Sequence, residues 1–149
     1  MIGKIYKYFI KVSWQEKKLV TTAFVYAMAV RFLMKYVKFK RYEKYLGSRL
    51  TEHSESYPEK DSDTIRLVRR VVLSVSKNTP WESKCMVQAV ACLWILRRYG
   101  IKSNLYLGIK KDPEDASKLK AHAWLKIGEI PITGAPQHRS YKTVNYYAS

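Results

Sequence analysis

Residues 80–100, PWESKCMVQAVACLWILRRYG, decide how this chain is read. Pro80 to Ser83 interrupt whatever precedes, residues 85–96 are apolar at nearly every position, and Arg97, Arg98 and Gly100 close the run. A helix that is apolar around most of its circumference has no face to offer water, so the segment reads as a buried central helix. Cys85 falls in its first turn. There the unpaired N–H groups and the positive end of the helix dipole favour a thiolate, and the same donors can stabilise an oxyanion formed when sulfur attacks a carbonyl. Cys92, in the middle of the run, reads as a small buried hydrophobe. Seven helical residues separate the two Cα atoms by about 10 Å along the axis, whereas a disulfide needs Cα atoms closer than about 7 Å, so both are expected as free thiols. Reduced cysteines suit a cytoplasmic protein.

On the C-terminal side, residues 103–109, 121–127 and 129–133 have strand character. A charged loop at 110–118, with Asp112, Glu114 and Asp115 expected in solvent, and a tight turn at Gly128-Glu129 separate them. On the N-terminal side, Ile65, Val68, Val72 and Val75 recur at helical spacing from Asp63, with Ser62 or Asp63 as N-cap and Asn78-Thr79-Pro80 as the stop. Residues 51–63 are polar, acidic and broken by Pro58, and read as a surface linker. Helices followed by an antiparallel sheet define an α+β fold. The expected division is a basic helical N-terminal region over 1–50 and a core over 51–149, together one compact domain.

The chain carries 28 Lys and Arg against 12 Asp and Glu, a formal +16 over 149 residues. Residues 1–49 hold twelve of the basic residues against only Glu16 and Glu43, +10 of the total. Within them Leu19, Ala23, Ala27, Val30, Met34 and Val37 mark one face of an amphipathic helix, with Lys17, Lys18, Arg31, Lys35 and Lys38 largely elsewhere. The longest uncharged stretch, 19–30, is twelve residues against the about 20 a bilayer needs, so no transmembrane span is expected. Residues 1–10 lack the pattern of a secretion signal. Three roles stand open for the basic helix: covering the core, docking a partner protein, or lying peripherally on an anionic membrane. Nucleic-acid binding would suit the charge, but no helix-turn-helix, zinc-finger or RNA-recognition motif accompanies it. No Cys and His spacing suits zinc, and no metal or cofactor is expected.

The partner for Cys85 is His122 in AHAWL, residues 121–125. Strand alternation puts His122 and Trp124 on one face, and the small Ala121 and Ala123 permit close packing on a helix. An imidazole beside the thiol can take its proton and later return one to a leaving amine. Trp81 and Trp124 are candidate walls of the substrate site. His53, in the linker, and His138, in the Pro-containing tail, are expected in solvent, and Gln88 is expected to be structural.

PWESKCMVQAVA from 80, LRRYGI from 96, LGI at 107–109 and AHAW at 121–124 together resemble the standalone leader peptidases of lasso-peptide biosynthesis, in the transglutaminase-like superfamily. The likeness covers 81–134 well and the basic N-terminal segment more loosely. It implies a papain-like/transglutaminase-like core, a central helix on an antiparallel sheet, with Cys85 and His122 catalytic. It implies a cysteine protease that hydrolyses the leader from a ribosomally made precursor peptide, so that an ATP-dependent macrolactam cyclase can close a ring. Such split-type peptidases rely on a small companion that grips the leader. Many relatives carry an acidic residue about a dozen positions after the histidine; here ITGAP, 132–136, stands in that region. The third member is therefore open among Thr133, Glu129, Gln137 and a backbone carbonyl. Two other readings remain: the same fold transferring its acyl group to an amine, and a non-catalytic basic binding module.

Overall fold

The computed structural model describes residues 13–135 and 137–149, so the reading of residues 1–10 falls outside it. Its first helix, α1 (Trp14–Tyr36), starts where the Ser13 hydroxyl accepts from the Glu16 N–H, satisfying one of the donors a helix start leaves unpaired. Leu19, Ala23, Ala27 and Val30 form its buried stripe. Met34, expected to continue that stripe, is exposed. A helical turn (Phe39–Tyr42) and a two-residue strand, β1 (Ser48–Arg49), lead to α2 (Ser62–Asn78), which buries Ile65, Val68, Val71, Val72 and Val75. Its N-cap is Asp61, one position before the expected pair, and no side chain closes that cap.

The central helix α3 (Cys85–Arg98) buries eight of its fourteen residues and packs against α1, α2 and the sheet. That sheet is antiparallel throughout, in the order β1, β5 (Lys142–Ala148), β2 (Asn104–Lys111), β3 (Leu119–Ile127), β4 (Ile130–Thr133). Ala123, Leu125 and Ile127 of β3, with Leu105 of β2 and Tyr147 of β5, join the helices in one core. The α+β reading with a central helix on an antiparallel sheet is therefore what the chain adopts.

Three further features differ from the sequence expectation. The last strand, β5, was not anticipated, although KTVNYYA has the β-branched and aromatic content of one; it lies between β1 and β2 and carries the fully buried Tyr147. The polar segment over 51–63 lies mostly at the surface, as a linker would, but is strapped to the sheet through His53. Asn104, itself buried, accepts from the His53 N–H at 2.9 Å and donates to the His53 carbonyl at 3.0 Å, and the His53 ring bonds the Ser149 carbonyl at 2.9 Å. His53 is thus a half-buried clasp and not a solvated residue. Finally, α1 is 23 residues long and apolar enough (mean hydropathy 1.3 over 18 residues) to satisfy the length and composition of a membrane span, contrary to the expectation from its short uncharged run. Here its inner face is committed to the protein core.

Candidate functional site

Cys85 is delivered to the start of α3 by a hydrogen-bonded turn. The Thr79 hydroxyl engages the carbonyls of Ser76 and Trp81 and the hydroxyl of Ser83, which is buried. Gln88, one helical turn into α3, donates its amide to the Ser83 carbonyl at 2.9 Å, tying the turn to the helix. The N-cap is Lys84, which has no acceptor side chain to close the helix start. Among the described residues no side chain caps the first-turn N–H groups around Cys85, the condition under which such donors can receive an anion. Cys85 is a free thiol, partly exposed.

His122 comes from the part of β3 that extends beyond its partner. β4 pairs only with Leu125 to Ile127, so the strand edge beside His122 is not paired to β4. The chain leaving β4 then passes the imidazole, and His122 Nε2 bonds the Gly134 carbonyl at 2.9 Å. A carbonyl oxygen only accepts, so the proton of the neutral ring is held on Nε2 and the lone pair is left on Nδ1, the form a general base requires. Tyr141 and Trp124 fix the ring plane, with centroids 4.9 and 5.9 Å from it.

These two side chains, expected from sequence to meet within hydrogen-bonding reach, line one cavity of about 290 Å³ without a hydrogen bond to each other, with Gln88, Thr133, Gly134 and Gln137 among its other walls. Among the third-member candidates, Thr133 and Gln137 reach this cavity, but the hydrogen bond to His122 comes from the Gly134 main chain. The buried Thr133 Oγ1 faces no hydrogen-bond partner among the described residues. Glu129 stands on the exposed β3–β4 turn, paired with Lys126 at 2.9 Å, and is not part of the cavity lining. Trp81 packs on Phe24 of α1 at 5.3 Å, and Trp124 is buried behind His122; neither lines the cavity.

His138 corrects the sequence reading. It is half-buried on Trp124, with ring centroids 6.0 Å apart, and its Nδ1 is enclosed without a partner among the described residues. Burial, reinforced by the charges of Arg139 and Lys126, pushes its pKa below the ordinary histidine value. Cys92, fully buried in α3 and not part of the cavity lining, has its thiol pushed up to about 12 by burial, with the Arg69 charge opposing. Arg69 was not singled out by its sequence. It lines the cavity from α2, and its Nε donates to the Ile132 carbonyl at 2.8 Å. An Arg69-Arg70 pair flanked by Val68 and Val71 carries no signature of a site; only the packing of α2 beside β4 reveals the place of Arg69.

A thiol at an open helix start and a tautomer-fixed imidazole on the adjoining strand edge are the arrangement of a papain-like cysteine-nucleophile fold. In agreement, the sequence model of the Transglutaminase-like superfamily matches residues 27–146, and the chain belongs to that superfamily. The match begins inside α1, so the second half of that helix is part of the family's own extent. Membership points to cysteine peptidase or acyltransferase chemistry. No curated protein and no solved structure matches the chain.

Proposed function

We propose that the protein is a cysteine peptidase that removes the leader from a ribosomally synthesised lasso-peptide precursor, with Cys85 as nucleophile and His122 as base and acid. The observation that carries the chemistry is the shared cavity of Cys85 and His122, with the His122 Nε2 proton committed to the Gly134 carbonyl. The substrate class rests on the resemblance of the 81–134 motifs to leader peptidases. Nδ1 takes the thiol proton as sulfur attacks the scissile carbonyl carbon. The first-turn N–H groups of α3 receive the resulting oxyanion. Collapse of the tetrahedral adduct breaks the C–N bond, and the imidazolium gives its proton to the departing amine. Water, deprotonated by the same nitrogen, then attacks the thioester carbonyl, and the sulfur leaves as the carboxylic product forms. The companion that holds the leader and the cyclase that consumes the freed core peptide are the partners this reading calls for.

The test is cleavage of a precursor with its companion, monitored by product mass. Cys85→Ala is expected to abolish cleavage while leaving the denaturation midpoint unchanged. Full cleavage by that variant would remove Cys85 from the mechanism. A product joined to an added amine, in place of two free peptides, would assign the chain to acyl transfer instead.

A further inference from the structure

The helix α1 is apolar on two opposite sides. Its inner stripe, Leu19, Ala23, Ala27 and Val30, belongs to the core. Half a turn away, Val25, Met28 and Phe32 follow one another at spacings of three and four residues, which places them in a single line along the helix. All three are exposed, Phe32 at 58%, as are Trp14 at 71% and Tyr36 at 64% near the two ends of the helix. Single exposed apolar residues are ordinary; a continuous exposed line bounded by aromatic residues marks a surface that meets something apolar.

The charges identify what that is. Lys17, Lys18, Arg31 and Lys35 flank the line, and the helix's one acid, Glu16, is neutralised by Arg70 at 3.1 Å. At the two ends, the Lys18 ammonium lies over the Trp14 ring at 5.6 Å and the Lys35 ammonium over the Tyr36 ring at 5.0 Å. Aromatic rings with a cation above them are suited to the level where lipid headgroups meet acyl chains. A second copy docked through the same face would set these lysines against lysines, a like-charge juxtaposition that disfavours the pair. A bilayer-spanning role would require Leu19, Ala23, Ala27 and Val30 to leave the core.

We propose that the outward face of α1 docks the folded protein on an anionic lipid surface, with Val25, Met28 and Phe32 entering the acyl boundary and the flanking lysines meeting lipid phosphates. The enzyme would then work at the membrane face. The attachment is peripheral: the helix lies in the plane of the interface while its inner stripe stays on the protein. This inference does not depend on the peptidase reading, because binding is measured without substrate.

The experiment is co-sedimentation of the full chain with vesicles of phosphatidylcholine containing about one-third phosphatidylglycerol, against phosphatidylcholine alone. Binding is expected to the anionic vesicles only, to weaken with salt, and to be released by an alkaline carbonate wash. Met28→Ser combined with Phe32→Ser is expected to lower partitioning by about 10-fold or more. Lys18→Gln with Lys35→Gln should lower it by about 10-fold as well. The residues are exposed, and circular dichroism checks that each variant keeps its fold. Equal binding to neutral vesicles, undiminished binding by the Met28/Phe32 variant, or retention after the carbonate wash would each overturn the proposal. So would absence of vesicle binding together with a dimer, or a complex with the leader-binding companion, that the Met28/Phe32 substitutions dissolve.

Discussion

Replacing Gly134 with Ala tests the positioning of His122 by way of the main chain. Gly134 has φ +77, a conformation that costs an L-residue about 1–2 kcal/mol. The added Cβ would also lie 2.5 Å from Trp124 Cβ, 2.8 Å from the Ala123 carbonyl oxygen and 3.0 Å from Trp124 Cα. Two of these are main-chain atoms of β3 and the third is the root of a buried side chain, so the strain is relieved chiefly by moving the 133–135 segment outward. A shift of about 1 Å takes the Gly134 oxygen out of hydrogen-bonding range of His122 Nε2, and misplacement of that size costs about 100-fold in rate. The expected stability loss is about 2–4 kcal/mol, the sum of strain, overlap and the lost bond. Denaturant titration gives the stability, and initial rates on a precursor peptide, corrected for the folded fraction, give kcat/KM. Its pH profile should also change, because the imidazole has lost the acceptor that fixed its proton. Gly128→Ala is the control: it has φ +54 in the β3–β4 turn, and its Cβ would approach Glu55 and Tyr57 main-chain atoms at 3.2 Å. It should lower stability by about 1–3 kcal/mol and leave kcat/KM within about 2-fold. A folded Gly134→Ala protein with wild-type kcat/KM and pH profile would refute the positioning argument.

Iodoacetamide at neutral pH is expected to label one cysteine in the native protein and two after unfolding, as read by intact mass, because Cys85 is partly exposed while burial holds Cys92 protonated and enclosed. Native labelling of Cys92 would contradict the packing. Above about pH 9, stability should fall as pH rises: the folded state holds the Cys92 proton up to about 12, so the unfolded chain releases it first. The contribution lost reaches at most about 4 kcal/mol by pH 12, three pKa units at about 1.4 kcal/mol each. Cys92→Ala should flatten that part of the denaturation profile, and an unchanged slope would count against the assignment. Asn104→Ala removes both bonds to the His53 main chain and is expected to cost about 1–3 kcal/mol and to make residues 51–58 a protease cleavage site. Resistance to limited proteolysis equal to wild type would show that the clasp is not needed.

The clearest part of the sequence was the central helix, because burial on all sides leaves a run that no amphipathic element produces; its observed limits, Cys85 and Arg98, follow the punctuation at either end. The β3–β4 hairpin was equally legible from Gly128, whose positive φ the two-residue turn requires. The residue types Cys and His narrowed the chemistry before any geometry, since few side chains can act as nucleophile and base. By contrast, β5 passed unnoticed because its identity as an inner strand depends on β1 and β2 lying to either side of it, and strand character is a property of neighbours as much as of residues.

Local pattern, set by side-chain size and polarity along a few turns or a single strand, was enough to establish an α+β chain with a thiol at a helix start and an imidazole on a strand. Tertiary structure alone decided the rest. Which atom steadies the imidazole was invisible because a main-chain carbonyl has no residue type, and the place of Arg69 and Thr133 in the cavity arises from elements far apart in sequence. The outward apolar line of α1 emerged only when the core claimed the opposite side, since periodicity shows that a helix has apolar residues but not which of them the fold leaves uncovered.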